Sequence, residues 1–237
     1  MNEIEKLQEI IKNSNNIVFF GGAGVSTESG IPDFRSKDGL YNQKYKFPPE
    51  KILSHTFFMT KTEEFYKFYK EKMNSLKYEP NITHKKLTEL EHSGKLKAII
   101  TQNIDGLHQK SGSKNVLELH GSILRNYCMD CHAFYEANDV FASKDIPKCS
   151  CGGIVKPDVV LYEEPLNSEI LERAMDAIEH AEVLIVAGTS LTVYPASGLI
   201  RYFKGKHLVL INKEATPYDT LANLVIHDSL GHVFENL

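Results

Sequence analysis

Ile17-Val18-Phe19-Phe20-Gly21-Gly22-Ala23-Gly24-Val25-Ser26-Thr27 is the stretch on which the fold turns. Four consecutive β-branched or aromatic residues read as a strand buried on both faces. The small residues that follow let backbone N–H groups approach phosphate oxygens at a helix N-terminus, the position at which a Rossmann-like domain binds a pyrophosphate. A tight strand-to-helix turn with no ligand accounts for the same residues equally well. Thr27 occupies the third glycine position of G-x-G-x-x-G, and no clear strand-end acid follows about 20 residues on. Hydride transfer is therefore not the natural conclusion.

Working outward, short β-rich runs recur at residues 98–101, 116–119, 159–162, 183–187 and 208–211. Strands apolar on both sides point to a parallel sheet covered by helices. Helical spacing lies between them: Leu87 and Leu90 ahead of Gly94, and Leu171, Ala174, Met175, Ile178 and Ala181 behind a Ser168 N-cap. Residues 2–13 read as an amphipathic helix with Ile4, Leu7, Ile10 and Ile11 on one side, and Asn2 with Glu5 has capping-box spacing. The fold class is α/β, a doubly wound Rossmann-like sheet. Its residues are expected to be 1–40, 81–122 and 156–237. Two stretches break the rhythm and predict an inserted small domain. Residues 41–80 place Phe65, Tyr69, Met73 and Leu76 at helical spacing, a helical module. Residues 123–155 hold all four cysteines and too little apolar density for a core of their own.

The 237 residues can bury a sizeable core, and 42% hydrophobic with 24% charged residues describes an ordinary globular chain. A net charge of −4 without a Lys/Arg block disfavours a primary nucleic-acid binder. No apolar run approaches the ~20 residues needed to span a bilayer. The expectation is a soluble, cytoplasmic protein, a monomer with no membrane or specific nucleic-acid partner.

Cys128-x2-Cys131 and Cys149-x-Cys151, the latter followed by Gly152-Gly153, come close to zinc-ribbon spacing. Four thiolates make a closed tetrahedral site with no vacant position, so the zinc would be structural. Two disulfides or four unrelated buried thiols are the competing readings. The second knuckle has one intervening residue instead of two.

Thr101-Gln102-Asn103-Ile104-Asp105-Gly106-Leu107-His108 follows directly on a buried strand, and ligands bind at the carboxyl ends of strands in open α/β sheets. A helix cap explains one of these polar residues, not the row. Residues 116–119 likewise deliver His120-Gly121, an imidazole able to accept a proton near neutral pH.

Together these segments resemble the sirtuin family of NAD-dependent protein deacylases, bacterial type, over nearly the whole chain. The resemblance rests on residues 22–26, Gly30-Ile31-Pro32-Asp33-Phe34-Arg35, residues 101–105, Leu119-His120-Gly121, the four cysteines, Lys156-Pro157-Asp158-Val159-Val160, Gly188-Thr189-Ser190-Leu191 and Val209-Leu210-Ile211-Asn212. It implies an NAD-dependent protein lysine deacetylase with structural zinc. NAD would be bound by Gly22, Ala23, Gly24 and Thr27 at the phosphate and ribose site, with Gly188, Thr189, Ser190 and Asn212 on the adenosine half and Leu230 on the adenine. Ile104 and Asp105 would form the nicotinamide pocket. Phe34 would cover the ribose, Arg35 and Gln102 would hold the cofactor, and Asn103 would orient the ribose hydroxyls or a water.

In the family's chemistry the acetyl-lysine oxygen attacks C1′ of the nicotinamide ribose, expels nicotinamide and leaves an O-alkylimidate. His120 would then act as catalytic base on the ribose diol, with Asn103 as the other catalytic residue, giving free lysine and O-acetyl-ADP-ribose. An acetylated peptide would lie between residues 160–163 (Val160, Leu161, Tyr162, Glu163) and 192–194 (including Val193) as an added strand. Glu163, where relatives often have glycine, bears on peptide preference. The Tyr-x-x-Arg pair that goes with succinyl groups has no arginine in residues 65–72, which favours acetyl or a longer apolar acyl group. The same site would serve mono-ADP-ribosyl transfer or removal of another acyl group, and a catalytically silent NAD- or nucleic-acid-binding module is the reading from another class. The stretch 36–49 is expected to be mobile.

Overall fold

A computed structural model of the chain describes residues 1–34, 39–40 and 45–237. Arg35 and much of the 36–49 stretch lie outside the described residues. Six parallel strands form the main sheet: β1 (Ile17–Gly21), β2 (Leu96–Thr101), β3 (Val116–Glu118), β7 (Val183–Ala187), β8 (His207–Ile211) and β9 (Leu224–Ile226). Their order is β3-β2-β1-β7-β8-β9. Counting only these six, that is 3-2-1-4-5-6, the order of a doubly wound dinucleotide-binding sheet. The chain reverses direction across the sheet between β1 and β7, which pair in register from Ile17 with Val183 to Gly21 with Ala187.

Every residue of β1 and of β7 is buried, because the sheet is covered on both faces. On one face α1 (Glu3–Lys12) and α9 (Leu230–Glu235) contribute Leu7, Val233 and Phe234 to a core with Phe19, Ile99 and Ile185. On the other, α8 (Ser168–His180) contributes Ala174 and Ile178 against Val18, Phe20 and Val186. The expected capping box is present: the Glu5 N–H donates to Asn2 Oδ1 and the Asn2 N–H to Glu5 Oε2, both at 2.8 Å. The cap of α8 is Asn167 rather than Ser168, since Asn167 Oδ1 accepts from the Ile170 N–H at 3.0 Å and Ser168 opens the helix. Asparagine and serine cap almost equally well, so adjacent candidates are not separable by residue type. Among the described residues no helix is long and apolar enough to cross a membrane.

A second, antiparallel sheet has the order β5-β4-β6, from β4 (Gly121–Cys128), β5 (Phe134–Glu136) and β6 (Val155–Val159). This corrects the expectation for residues 159–162, which do not form a parallel strand of the main sheet. Only Val159 is strand, ending β6, and it pairs with Gly121. An apolar run of four carries no record of which sheet receives it. β9 escapes sequence reading because three residues give no periodicity.

The helical stretch comprises α2 (Pro49–Ile52), α3 (His55–Thr60) and α4 (Thr62–Lys72). Phe65 and Tyr69 are fully buried as expected, in one core with Ile123, Cys128, Val140 and Val155. Neither stretch closes a core alone. The Tyr66 hydroxyl donates to the Val155 carbonyl, tying α4 to β6. α7 (Ala137–Ala142) adds Val140 and places Phe141 in a stack with Tyr69, ring centroids 5.5 Å apart.

α5 (Ile82–His92) and α6 (Leu107–Ser111) enclose two buried imidazoles, His84 and His108, with ring centroids 4.8 Å apart. Burial pushes His84 down to about 4 and holds His108 well below its usual range, with the neighbouring His84 adding to the latter. Both are therefore neutral in the fold at pH 7. As pH falls below about 6.5 the unfolded chain takes up protons that the fold refuses, and stability drops. Across the 6.5-to-4 window His84 alone should cost about 3 kcal/mol at ~1.4 kcal/mol per pKa unit. Urea midpoints measured at pH 7, 6, 5 and 4.5 should fall steadily in the wild type and less in His84→Gln; parallel lines for the two proteins would refute the assignment.

Candidate active site and metal centre

The loop after β1 lies against the loop after β7. The Gly24 N–H donates to the Gly188 carbonyl at 2.8 Å, and the Gly22 N–H to Ala187 at 3.2 Å. A Cβ on Gly22 would stand 2.7 Å from the Thr189 Cβ, and one on Gly24 2.7 Å from the Gly188 Cα. No side chain fits, which is the reason for glycine at both positions. At the place where a helix N-terminus is expected, the chain after Gly22 makes two one-turn 3-10 helices, Ala23–Val25 and Thr27–Ser29. Anion binding by a long helix dipole is therefore not available here, and the site depends on local N–H groups, hydroxyls and close approach.

Around this switch point opens one cleft of about 760 Å³. Its walls contain Gly22, Ala23, Gly24, Thr27 and Phe34 from the first loop, and Gln102, Asn103, Ile104, Asp105 and His120 from the ends of β2 and β3. Gly188, Thr189, Ser190, Val193, Asn212 and Leu230 come from the far half of the sheet, and Val160, Leu161, Tyr162 and Glu163 from the segment after β6. Of the described residues named from sequence for NAD and peptide, all but Thr192 thus face one space. Ser26, Lys213, Glu214, Thr216 and Asp228 share it without having been singled out from sequence for NAD or peptide contact. Lys213 and Glu214 follow Asn212 at the end of β8, so the strand-end rule applied to every strand would have reached them.

The imidazole of His120 is fixed by one bond. Its Nδ1 lies 2.9 Å from the Gln102 carbonyl. A carbonyl only accepts, so Nδ1 carries the proton and Nε2 keeps its lone pair. Burial holds His120 below its usual range, opposed by the Gln102 contact. The neutral, proton-accepting form is therefore the resting form at pH 7. Backbone bonds hold the residue from both sides: the Leu119 N–H donates to Thr101 at 3.0 Å, and the His120 carbonyl accepts from Val160 at 2.9 Å.

A second chain of bonds leads through the floor. Asn103 Nδ2 donates to Ser26 Oγ at 3.2 Å, and the Ser26 hydroxyl donates to Asp105 Oδ2 at 2.6 Å. The Leu107 N–H donates to Asp105 Oδ1 at 2.9 Å. Burial raises the Asp105 carboxyl, while Ser26 and Leu107 work to keep it ionised. Farther along the cleft, Gln102 Nε2 donates to Thr189 Oγ1 at 3.1 Å and the Thr189 N–H to Asn212 Oδ1 at 2.9 Å. Asn212 Nδ2 is buried with no acceptor among the described residues. An orphan donor in a cleft wall suits a hydroxyl-bearing ligand such as a ribose. Together with the two glycines that admit nothing but backbone, this fits a dinucleotide.

The four cysteine sulfurs lie within 4.8 Å of one another, with 3.5 Å for both Cys128–Cys151 and Cys131–Cys149. A disulfide needs about 2.05 Å, so no pair is bridged. Zinc–sulfur bonds of about 2.3 Å imply sulfurs roughly 3.8 Å apart, and the group fits a tetrahedral zinc held by four thiolates. Cys149 joins despite its short spacing because the knuckle closes differently: its N–H donates to Gly153 at 2.8 Å and its carbonyl accepts from Gly152 at 2.9 Å. The Tyr135 hydroxyl and the Cys151 backbone draw the Cys149 thiol down to about 6. The Gly153 backbone favours the Cys151 thiolate, but the three neighbouring sulfurs push its thiol up to about 12. Four thiolates cannot share this space without a cation between them.

A doubly wound parallel sheet with a cleft at its switch point, a base at one strand end and a four-cysteine ribbon beside it defines a dinucleotide-binding protein of two sheets. A family model for the Sir2 family matches residues 22–195. The chain is 63% identical over 235 residues to an NAD-dependent protein deacetylase of Clostridium perfringens, covering 98% of this chain and 96% of that one. It is 60% identical over 237 residues to one of Clostridium tetani, covering 98% and 96%. Among solved structures it superposes with TM-score 0.91 at 37% identity on a histidine-to-alanine Sir2 with deacetylated p53 peptide and 3′-O-acetyl-ADP-ribose, covering 99% and 97%. A Sir2–p53 peptide–NAD+ complex gives 0.87 at 37% identity, covering 99% and 96%. The chain belongs to the Sir2 family.

Proposed function

We propose that this protein is an NAD-dependent protein lysine deacetylase that transfers the acetyl group of an acetyl-lysine to the ADP-ribose of NAD and releases nicotinamide. The observation that carries the reading is His120: a neutral imidazole with Nδ1 committed to the Gln102 carbonyl, in the wall of a cleft large enough for both substrates. NAD supplies the electrophilic sugar carbon and the acyl acceptor, so the protein needs no nucleophile of its own.

The chain's residues then divide the work. Gly22, Ala23, Gly24 and Thr27 admit the phosphates and ribose, Gly188, Thr189, Ser190 and Asn212 hold the adenosine half, and Leu230 meets the base. Ile104 and Asp105 take the nicotinamide. Asp105 accepts from the carboxamide N–H, and the Ser26 and Leu107 bonds that favour its ionised form keep it an acceptor. Phe34 and Gln102 cover and hold the ribose, and Asn103, oriented by Ser26, sets the hydroxyls or a water. His120 Nε2 accepts the proton of the ribose diol when its oxygen turns on the acyl carbon. The peptide lies between residues 160–163 and 192–194 and extends a strand.

Zinc stays outside the chemistry. When bound it would join β4, the knuckle after it and the turn before β6 through Cys128, Cys131, Cys149 and Cys151. This holds the end of β6, from which Val160 to Glu163 issue, against the cleft.

Purified protein with NAD and a panel of acyl-lysine peptides tests the reading. Peptide mass should fall by one acetyl group as nicotinamide appears in equal amount, with acetyl turned over and succinyl not. Nicotinamide release without peptide, with ADP-ribose appearing on protein, would overturn it in favour of ADP-ribosyl transfer.

A further inference from the structure

Glu163 stands at the mouth of the cleft with a backbone φ of 74°, in the left-handed region that few non-glycine residues occupy. Two restraints hold it there. Glu163 Oε2 accepts the Thr56 N–H at 2.8 Å, and the preceding Tyr162 exchanges backbone bonds of 2.9 Å with Leu53 and His55. A residue kept in a sparsely populated conformation at a site is a pointer to use.

Its neighbour sharpens the point. Glu164 is neutralised, by Lys156 at 3.2 Å and by His55 at 2.9 Å when that ring is protonated. Glu163 forms no such ion pair among the described residues, and it is exposed. Hydrogen bonds from Thr56 hold its carboxyl below the usual range, with His55 adding to the effect, so it carries its charge at pH 7. Next to it Tyr162 is 39% exposed, and Tyr194, which follows β7 and lines the same cleft, is 64% exposed. Two large exposed rings and an unneutralised carboxylate in the walls of one cleft match one chemistry: a guanidinium or ammonium, which an oxygen accepts from and a ring face attracts.

We infer that Glu163, with Tyr162 and Tyr194, selects a basic side chain flanking the acyl-lysine of the substrate peptide, an inference that rests on the deacetylase reading above.

The test is a set of acetyl-lysine peptides carrying Arg, Gln or Asp at each position from two before to two after the acetyl-lysine, with kcat/KM measured from NAD consumption at low salt. At one flanking position Arg should exceed Asp by roughly 5- to 10-fold, and the ratio should shrink as salt screens the carboxylate. Glu163→Gln can still accept the Thr56 N–H, so it removes charge and keeps the turn. Whatever it does to the overall rate, its Arg-to-Asp ratio should fall to within about twofold of unity, and Glu163→Asp should restore part of the preference. A wild-type ratio near unity at every position, or a ratio unchanged in Glu163→Gln, overturns the inference while leaving the deacetylase reading intact. Failure of every peptide, the Gln set included, to consume NAD overturns both.

Discussion

His120→Ala should lower deacetylation by about 10² to 10⁴-fold, the usual contribution of a positioned general base, while leaving the protein folded. The ring is held by the bond from Nδ1 to the Gln102 carbonyl, and a hydrogen bond of that kind contributes about 0.5–1.5 kcal/mol, well within the roughly 5–15 kcal/mol that holds a domain together. Activity and stability should therefore separate. A second readout divides the steps. Expulsion of nicotinamide precedes the proton transfer assigned to His120, so peptide-dependent exchange of labelled nicotinamide into NAD should fall less than product formation does. Equal loss of both would place the imidazole in the first step and sink the assignment. The same burial that keeps the ring neutral sets the pH response: the acid limb of kcat/KM should lie below the ordinary histidine value near 6.5.

Removal of zinc should be the largest effect on structure. Structural zinc contributes about 10–16 kcal/mol to folding of peptides that depend on it, as much as the whole stability of a typical domain. Here its loss would leave four crowded sulfurs between β4 and β6 that cannot all stay thiolates, and Cys128 is wholly buried. Chelation, or Cys128→Ala, should raise amide exchange across residues 121–159 by orders of magnitude while the main sheet keeps its protection, because the six parallel strands draw on separate cores. Deacetylation should vanish with it, since residues 160–163 continue from β6. Zinc content by atomic absorption should be one per chain. Full activity and unchanged exchange in a zinc-free preparation would show that the cysteines are not a structural site.

Much of this was legible in the residues because the relevant forces are local. Ile17 to Phe20 read as a doubly buried strand and the Asn2/Glu5 cap is a contact three residues long, whereas the need for glycine at positions 22 and 24 comes from Thr189 and Gly188 at a distant strand end. The row from Gln102 to Asp105 and the histidine at 120 were visible as strand-end polar groups, and the cysteine pairs as knuckles. Other readings were not recoverable. Residues 159–162 are apolar in either sheet, and only the pairing of Val159 with Gly121 decides which one takes them. Ser26 looked like a loop residue until the fold set it between Asn103 and Asp105, 77 and 79 positions away.

Taken by itself, the sequence determined which segments are buried strands, which residues can accept a proton or hold a metal, and that one chain must carry two separately stabilised parts. Those are properties of residue type and short-range spacing. Tertiary structure alone decided the tautomer of His120, the acceptor state of Asp105, the orphan donor of Asn212, the neutral imidazoles of His84 and His108, and the unneutralised Glu163 that shares a cleft with two exposed rings. Each depends on desolvation or on a partner tens of residues distant, and such energies exist only once the chain has closed.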